Sequence, residues 1–145
     1  MVLLAGCGLK SVYGTGQAGQ ALHDKVAFVT PATEAGFSLR KQLEARLGVV
    51  SVLADYTLTT TLSDTRDAEA VTSDGDITRF SILGSSDWTL EQEDVSIASG
   101  TVETFTSYAA TGSTVATQAA EDAAIARLSV ALADLIVADL LLAIQ

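Results

Sequence analysis

Cys7 and His23 are the only cysteine and the only histidine of the chain, and both fall in its opening stretch, MVLLAGCGLKSVYGTGQAGQALHDKV. Leu4-Ala5-Gly6-Cys7 has the order of a bacterial lipoprotein recognition sequence: one aliphatic residue, two small ones, then cysteine. The chemistry follows from the residue types. Small side chains let the backbone enter a signal peptidase, and the thiol accepts a diacylglyceryl group. The structural alternative for Cys7 is a small buried thiol in an apolar stretch. A nucleophilic pair of Cys7 with His23 would need a base held beside the thiol, whereas His23 falls in a Gly- and Gln-rich segment that reads as solvated.

The same stretch carries Gly14-Thr15-Gly16-Gln17-Ala18-Gly19, a match to the G-x-G-x-x-G pattern of dinucleotide-binding loops. That chemistry requires a buried strand before the first glycine and a helix opening at the last, whose N-terminus meets the pyrophosphate. GLKSVY before Gly14 is short and contains Lys10, and the residues after Gly19 suit a strand at Val26-Ala27-Phe28-Val29 better than a helix. The glycines are therefore read as a connector.

Carboxylates are plentiful. Asp64, Asp67, Glu69, Asp74 and Asp76 gather around one turn, where a glycosidase-like acid pair is conceivable but solvated charges are the ordinary outcome. Eighteen acidic against eight basic residues give a net charge of −10, and no run of Lys or Arg exists. Neutralising phosphates needs clustered cations, so nucleic acid is not an expected partner. One cysteine excludes an intrachain disulfide, and with one histidine no Cys- or His-based zinc site can form; no EF-hand spacing and no Walker loop are present. No cofactor and no metal site is expected.

The elements that must position these residues are legible in the apolar pattern. With 48% hydrophobic residues in a chain of 145, one domain with a real core is expected. Val26 to Val29 reads as a first strand. Thr30-Pro31 offers a helix N-cap followed by proline, and in ATEAGFSLRKQLEARLG the leucines 39, 43 and 47 recur every four residues until Gly48 stops the helix. Tyr56 to Ser63 alternates as a half-buried strand. Asp74-Gly75 marks a hairpin. The next strand, about 77–90, puts Thr78, Phe80 and Ile82 on one face, with a bulge expected at Gly84-Ser85-Ser86. Glu91 to Asp94 makes a turn, and a further strand runs from Val95 to about Ala109, weakened at Ser99-Gly100.

The last segment is Ala- and Leu-rich with nothing to break a helix, and Leu128, Leu132, Leu135 and Ile136 sit at helical spacing. Its most apolar part, Val130 to Ile144, is fifteen residues long and holds Asp134 and Asp139. A membrane span needs roughly 20 mostly apolar residues, so this helix is expected to pack on the sheet. The reading is an α+β two-layer sandwich: a mostly antiparallel four-stranded sheet with two helices on one face, in the order β-α-β-β-β-α. Residues 1–6 read as residual signal peptide, 7–24 as the lipid-anchor connector and 25–145 as a single domain.

Several of these segments, in this order, resemble the LptE family of lipopolysaccharide-assembly lipoproteins. LLAGCGLKSVYG is similar to the GCG-x-x-x-x-YG start of the mature family members, with Cys7 as the acylated residue. GFSLRKQLEARL is similar to the family's first helix and DYTLTTTLSDTR to its second strand. TSYAATGSTVATQAAEDAAIARLSVALADLI resembles its closing signature, with Ser107-Tyr108-Ala109 ahead of Asp122-Ala123. The resemblance implies the same α/β sandwich and a non-enzymatic role: assembling and plugging the outer-membrane β-barrel LptD and supporting lipopolysaccharide transport. It further implies a lipid anchor holding the protein at the periplasmic face of the outer membrane of a Gram-negative bacterium, and Gly8 after the cysteine is compatible with that destination.

Site expectations follow from the resemblance. Interfacial aromatics are common anchors; Tyr56 and Tyr108 are the barrel-contact candidates, while Phe80 and Trp88 read as core. The family's lipopolysaccharide contacts are basic residues near the second hairpin and the fourth strand. Here those places hold Thr72-Ser73-Asp74-Gly75, Thr101 and Glu103, so the nearest cations, Arg66 and Arg79, are the candidates for binding lipopolysaccharide. Two other classes remain open to the sequence: an adaptor or pilot lipoprotein of another envelope complex, and a periplasmic enzyme using an acidic pair.

Overall fold

The computed structural model describes residues 17–50, 53–71, 73, 75, 77–110 and 112–144. In chain order the elements are α1 (Gln17–Leu22), β1 (Val26–Val29), α2 (Glu34–Leu47), β2 (Tyr56–Thr60), β3 (Ser63–Val71), β4 (Ile77–Gln92), β5 (Val95–Ala109) and α3 (Thr114–Ala143). The expected α+β class holds, with one more strand and one more helix than expected: the described residues form a five-stranded sheet and three helices.

The extra strand comes from a break rather than from a new ribbon. β2 and β3 both pair antiparallel with β4, Thr60 opposite Trp88 and Ser63 opposite Ser85, so the register carries straight across the gap. At the gap the Ser86 hydroxyl donates to the Thr61 carbonyl (2.5 Å), and the Asp87 amide donates to the Thr61 hydroxyl. One backbone bond survives there, the Thr61 amide donating to the Asp87 carbonyl at 2.9 Å, and side chains supply the other contacts, so alternation continues through residues that no longer pair as a strand. β5 lies along the other edge of β4, and β1 pairs parallel with β2 across the α2 crossover.

The extra helix, α1, occupies part of the stretch expected to be a connector. Leu22 at its end is 1% exposed, and this contact brings 17–22 into the domain. A helix therefore does stand at Gly19, where the sequence favours none, although six residues are too short to build the dinucleotide site.

Helix α2 starts later than Thr30-Pro31 suggested. Thr33 is its N-cap, its hydroxyl accepting from the Gly36 amide at 3.0 Å. Gly36 lies so close to the Pro31 carbonyl that any Cβ would overlap it. The expected stop at Gly48 is present, with φ of 84°.

Helix α3 runs 30 residues and buries Leu128, Leu132, Ile136 and Leu140 on one stripe. Fully burying such a side chain stabilises by about 1.5–3 kcal/mol. Leu135, expected on that stripe, is instead partly exposed. No bulge interrupts β4 at Gly84-Ser85-Ser86; the register shifts lie on β3 around Ala68 to Val71 and between Leu90 and Glu91. Gly84 has a packing cause: a Cβ there would come within 2.7 Å of Leu128 Cδ2. The hairpin from β4 to β5 turns through Glu93 and Asp94 alone, both with positive φ (51° and 63°), the primed turn that matches strand twist.

Even-numbered β4 residues, from Ile82 through Trp88 to Leu90, face the helices and are buried. Odd-numbered ones face away, where no element covers them among the described residues. The molecule is a sandwich with one bread slice missing its filling: one covered face, one open face.

Candidate interaction surfaces

Two ties between side chains hold α3 to the covered face, beside the Arg127 guanidinium donating to the Ser107 carbonyl of β5 at 3.3 Å. Near its N-terminal half Glu121 takes the Arg66 guanidinium of β3 in an ion pair and the Tyr108 hydroxyl of β5 in a 3.2 Å hydrogen bond. Tyr108 stacks on Phe80, ring centroids 5.4 Å apart. Burial, reinforced by the Glu121 carboxylate and opposed by Arg66, raises the Tyr108 pKa above 10.0. Further along, the Trp88 indole donates to Asp139 at 3.0 Å. Gly100, opposite Trp88 in the ladder, leaves room for that bond, since a Cβ there would overlap Asp139 Oδ2 and Trp88 Nε1.

A third tie joins the helices. Asp134 accepts from Arg46 (2.8 and 3.1 Å) and from Gln42 (2.9 Å) on α2. The Arg46 hydrogen bond, acting against burial, holds its carboxyl below the usual 3.8. The two aspartates that interrupt the apolar run of α3 thus each have a partner on another element.

The structure separates the residues the sequence grouped. Tyr108 is 6% exposed with its hydroxyl engaged, so it offers a partner almost no surface and serves the core. Tyr56 packs half-buried against the core at the start of β2. Arg66 lies on the covered side, opposite Ile82, and is ion-paired. Arg79 lies on the open face, exposed, and makes no ion pair among the described residues. Trp88 is core, as expected, and Phe80 packs against it. His23 pairs with its neighbour Asp24 at 2.9 Å, both more than half exposed. Cys7 and the glycines 14 and 16 lie outside the described residues, as do Asp74 and Asp76 at the hairpin tip. Gly75 there has a φ of 89°, as the turn requires.

A groove of about 320 Å³ opens where the start of α2 meets the β2–β3 break and α3, lined by Thr33, Glu34, Leu62, Asp64, Asp122 and Ile125. Three carboxylates make it a poor seat for an anionic head group. Among the described residues no group of three His, Cys, Asp or Glu is placed to hold a metal ion, and no helix is long and apolar enough to cross a membrane.

Sequence reasoning missed Phe105 and Leu83, which face each other across β4 and β5 on the open face. A signal existed: Leu83 is out of phase with Phe80 and Ile82, so an apolar residue had to point to the other side.

A one-sided α+β sandwich pinned by polar ties to a single long helix is the class of domain these features define. The family model of LptE, described as lipopolysaccharide-assembly, matches residues 24–140, and the chain belongs to that family. Solved structures agree in fold. A Caulobacter crescentus CB15 protein described as a candidate lipoprotein is 23% identical with a TM-score of 0.71, over 86% of this chain and 93% of its own. The minor lipoprotein of Acinetobacter baumannii is 19% identical, TM-score 0.63, over 83% and 92%. Rare lipoprotein B of Shewanella oneidensis is 11% identical, TM-score 0.59, over 79% and 90%. No curated protein matches the sequence.

Proposed function

We propose that this protein is a lipid-anchored partner of an LptD-type β-barrel, which it assembles and plugs while supporting passage of lipopolysaccharide to the cell surface. The observation that carries the reading is the family match across 24–140, nearly the whole sandwich. The structural neighbours are described as lipoproteins, which fits a tether, and Leu4-Ala5-Gly6-Cys7 would supply one on this chain. Acylated Cys7 would hold the domain at the periplasmic face of the outer membrane. The role is binding and assembly, without a reaction step.

Direct lipopolysaccharide contact is the narrower half of this reading. With Arg66 occupied by Glu121, Arg79 is, among the described residues of β3, β4 and β5, the cation that remains available for a phosphate. The test is a pull-down of the protein, expressed with a functional lipoprotein leader, from detergent-solubilised outer membrane, with mass spectrometry of bait and co-eluting proteins. A diacylated Cys7 and a stoichiometric barrel are expected. Acylated bait with no barrel would point to an adaptor of another envelope complex, and unmodified cysteine would remove the tether.

A further inference from the structure

We propose that the open face of the sheet is the docking surface for the partner, that its occupant is the polar inner wall of the β-barrel, and that Phe105 is its anchor. This rests on the barrel reading above and adds the surface through which it would work.

Two phenylalanines are almost equally bare, Phe105 at 72% and Phe37 at 69%, and their surroundings distinguish them. Phe37 stands on α2 with Thr33, Glu34, Arg40 and Lys41 one turn away, an apolar residue in a charged setting of the sort that ordinary surfaces scatter. Phe105 faces Leu83, itself 49% exposed, and Leu83 faces Thr65 on β3. On one side the next row is Ser81 opposite Ser107; on the other, Ser85 opposite Glu103 and Asp87 opposite Thr101 come before Thr89 opposite Ser99, so hydroxyls and acids surround the apolar pair.

Charge selects the occupant. Asp67, Asp87, Glu91 and Glu103 share this face, and among the described residues Arg79 is the one cation that β3, β4 and β5 direct to it. A second copy stacked here would set acids against acids, and an anionic membrane surface would be repelled in the same way. The apolar area around Phe105 and Leu83 is too small and too isolated to bed an acyl chain. What fits is a polar, hydroxyl-compatible wall carrying basic groups, and the interior of an outer-membrane barrel is polar. Asp87 is already fixed in position, accepting from the Thr101 hydroxyl at 2.7 Å and the Thr61 hydroxyl at 3.4 Å, so it meets a cation without reorganising.

The test places a photoreactive amino acid at position 105 or at position 37 of the full, anchored chain in cells. Complexes are then recovered from detergent-solubilised outer membrane. The 37 variant should recover the barrel as unsubstituted protein does, and per recovered complex the cross-linking to the barrel should be about tenfold stronger from 105 than from 37. Cross-links from 37 and none from 105 would put the partner on the helical layer and overturn this surface while leaving the barrel reading intact. Dimers of the chain cross-linked through 105 would overturn it in favour of a second copy. If unsubstituted protein recovers no barrel at all, the underlying reading falls and this surface with it.

Discussion

The two faces of the sheet are made by the same strands and are chemically unlike. Toward the helices β4 and β5 present Ile82, Trp88, Leu90 and Tyr108, all buried, with two glycines cut to fit Leu128 and the Trp88–Asp139 bond. Away from the helices the same strands present hydroxyls, acids and the bare Leu83–Phe105 pair. The covered face needs specific shapes and partnered polar groups, because its buried side chains meet other protein atoms rather than solvent. The open face has no such constraint in the isolated chain, so its pattern reflects what it meets outside the domain.

The largest expected contrast comes from cutting one aromatic on each face. Trp88→Ala should lower the unfolding free energy by about 3–5 kcal/mol, and Phe105→Ala should change it by no more than about 0.5 kcal/mol, as read by urea denaturation. Equal losses would mean that the open face is covered in the free protein. Gly100→Ala probes the same contrast more finely. Its Cβ must displace the Asp139 carboxylate or the indole, with an expected loss of about 1–3 kcal/mol, and the Trp88 fluorescence should report the altered indole contact.

Asp134 gives a pH signature confined to the helical layer. Its folded pKa is depressed, so its contribution is present above the ordinary carboxylate value of 3.8 and is lost as pH falls through the folded value. The pair is partly exposed, and screening limits the effect to about 1 kcal/mol or less. Asp134→Asn should therefore lie below wild type at pH 7 and converge with it as the pH falls from 3.8 through the lower folded value, in denaturation curves taken across that range. The smallest effect belongs to the hairpin: replacing Glu93-Asp94 with Asn-Gly suits the two positive φ angles and should stabilise by about 0.5–1 kcal/mol.

Much of this was legible in the sequence, and what was not has physical causes. The order of β1, α2, β2, β4, β5 and α3 follows from periodicity, since period 2 and period 3.6 survive without knowledge of the partners. The gap at 61–62 is hidden in the sequence because side-chain alternation continues where one backbone bond and the Thr61 and Ser86 side chains bridge the break. The Gly84 bulge was misread because the glycine answers to Leu128, a contact far along the chain. Leu22 was lost in a Gly- and Gln-rich setting, having no apolar neighbours to give it a phase. Among the site residues, Tyr108 and Arg66 could be recognised as chemistry-bearing but not as partners of one partly buried carboxylate, because only the β4–β5 register and the course of α3 bring Glu121 to both. Phe105 went unnoticed for the opposite reason: it belongs to no internal cluster.

The most direct test of a face kept for a partner is complementation. In cells depleted of this protein, the amount of correctly assembled barrel in the outer membrane is measured after expressing wild type, Phe37→Lys or Phe105→Lys at equal levels. Wild type and Phe37→Lys should restore the barrel, and Phe105→Lys, folded and as stable as wild type, should not. Full restoration by Phe105→Lys, or normal barrel assembly with no copy of the protein present, would contradict the division of labour between the two faces.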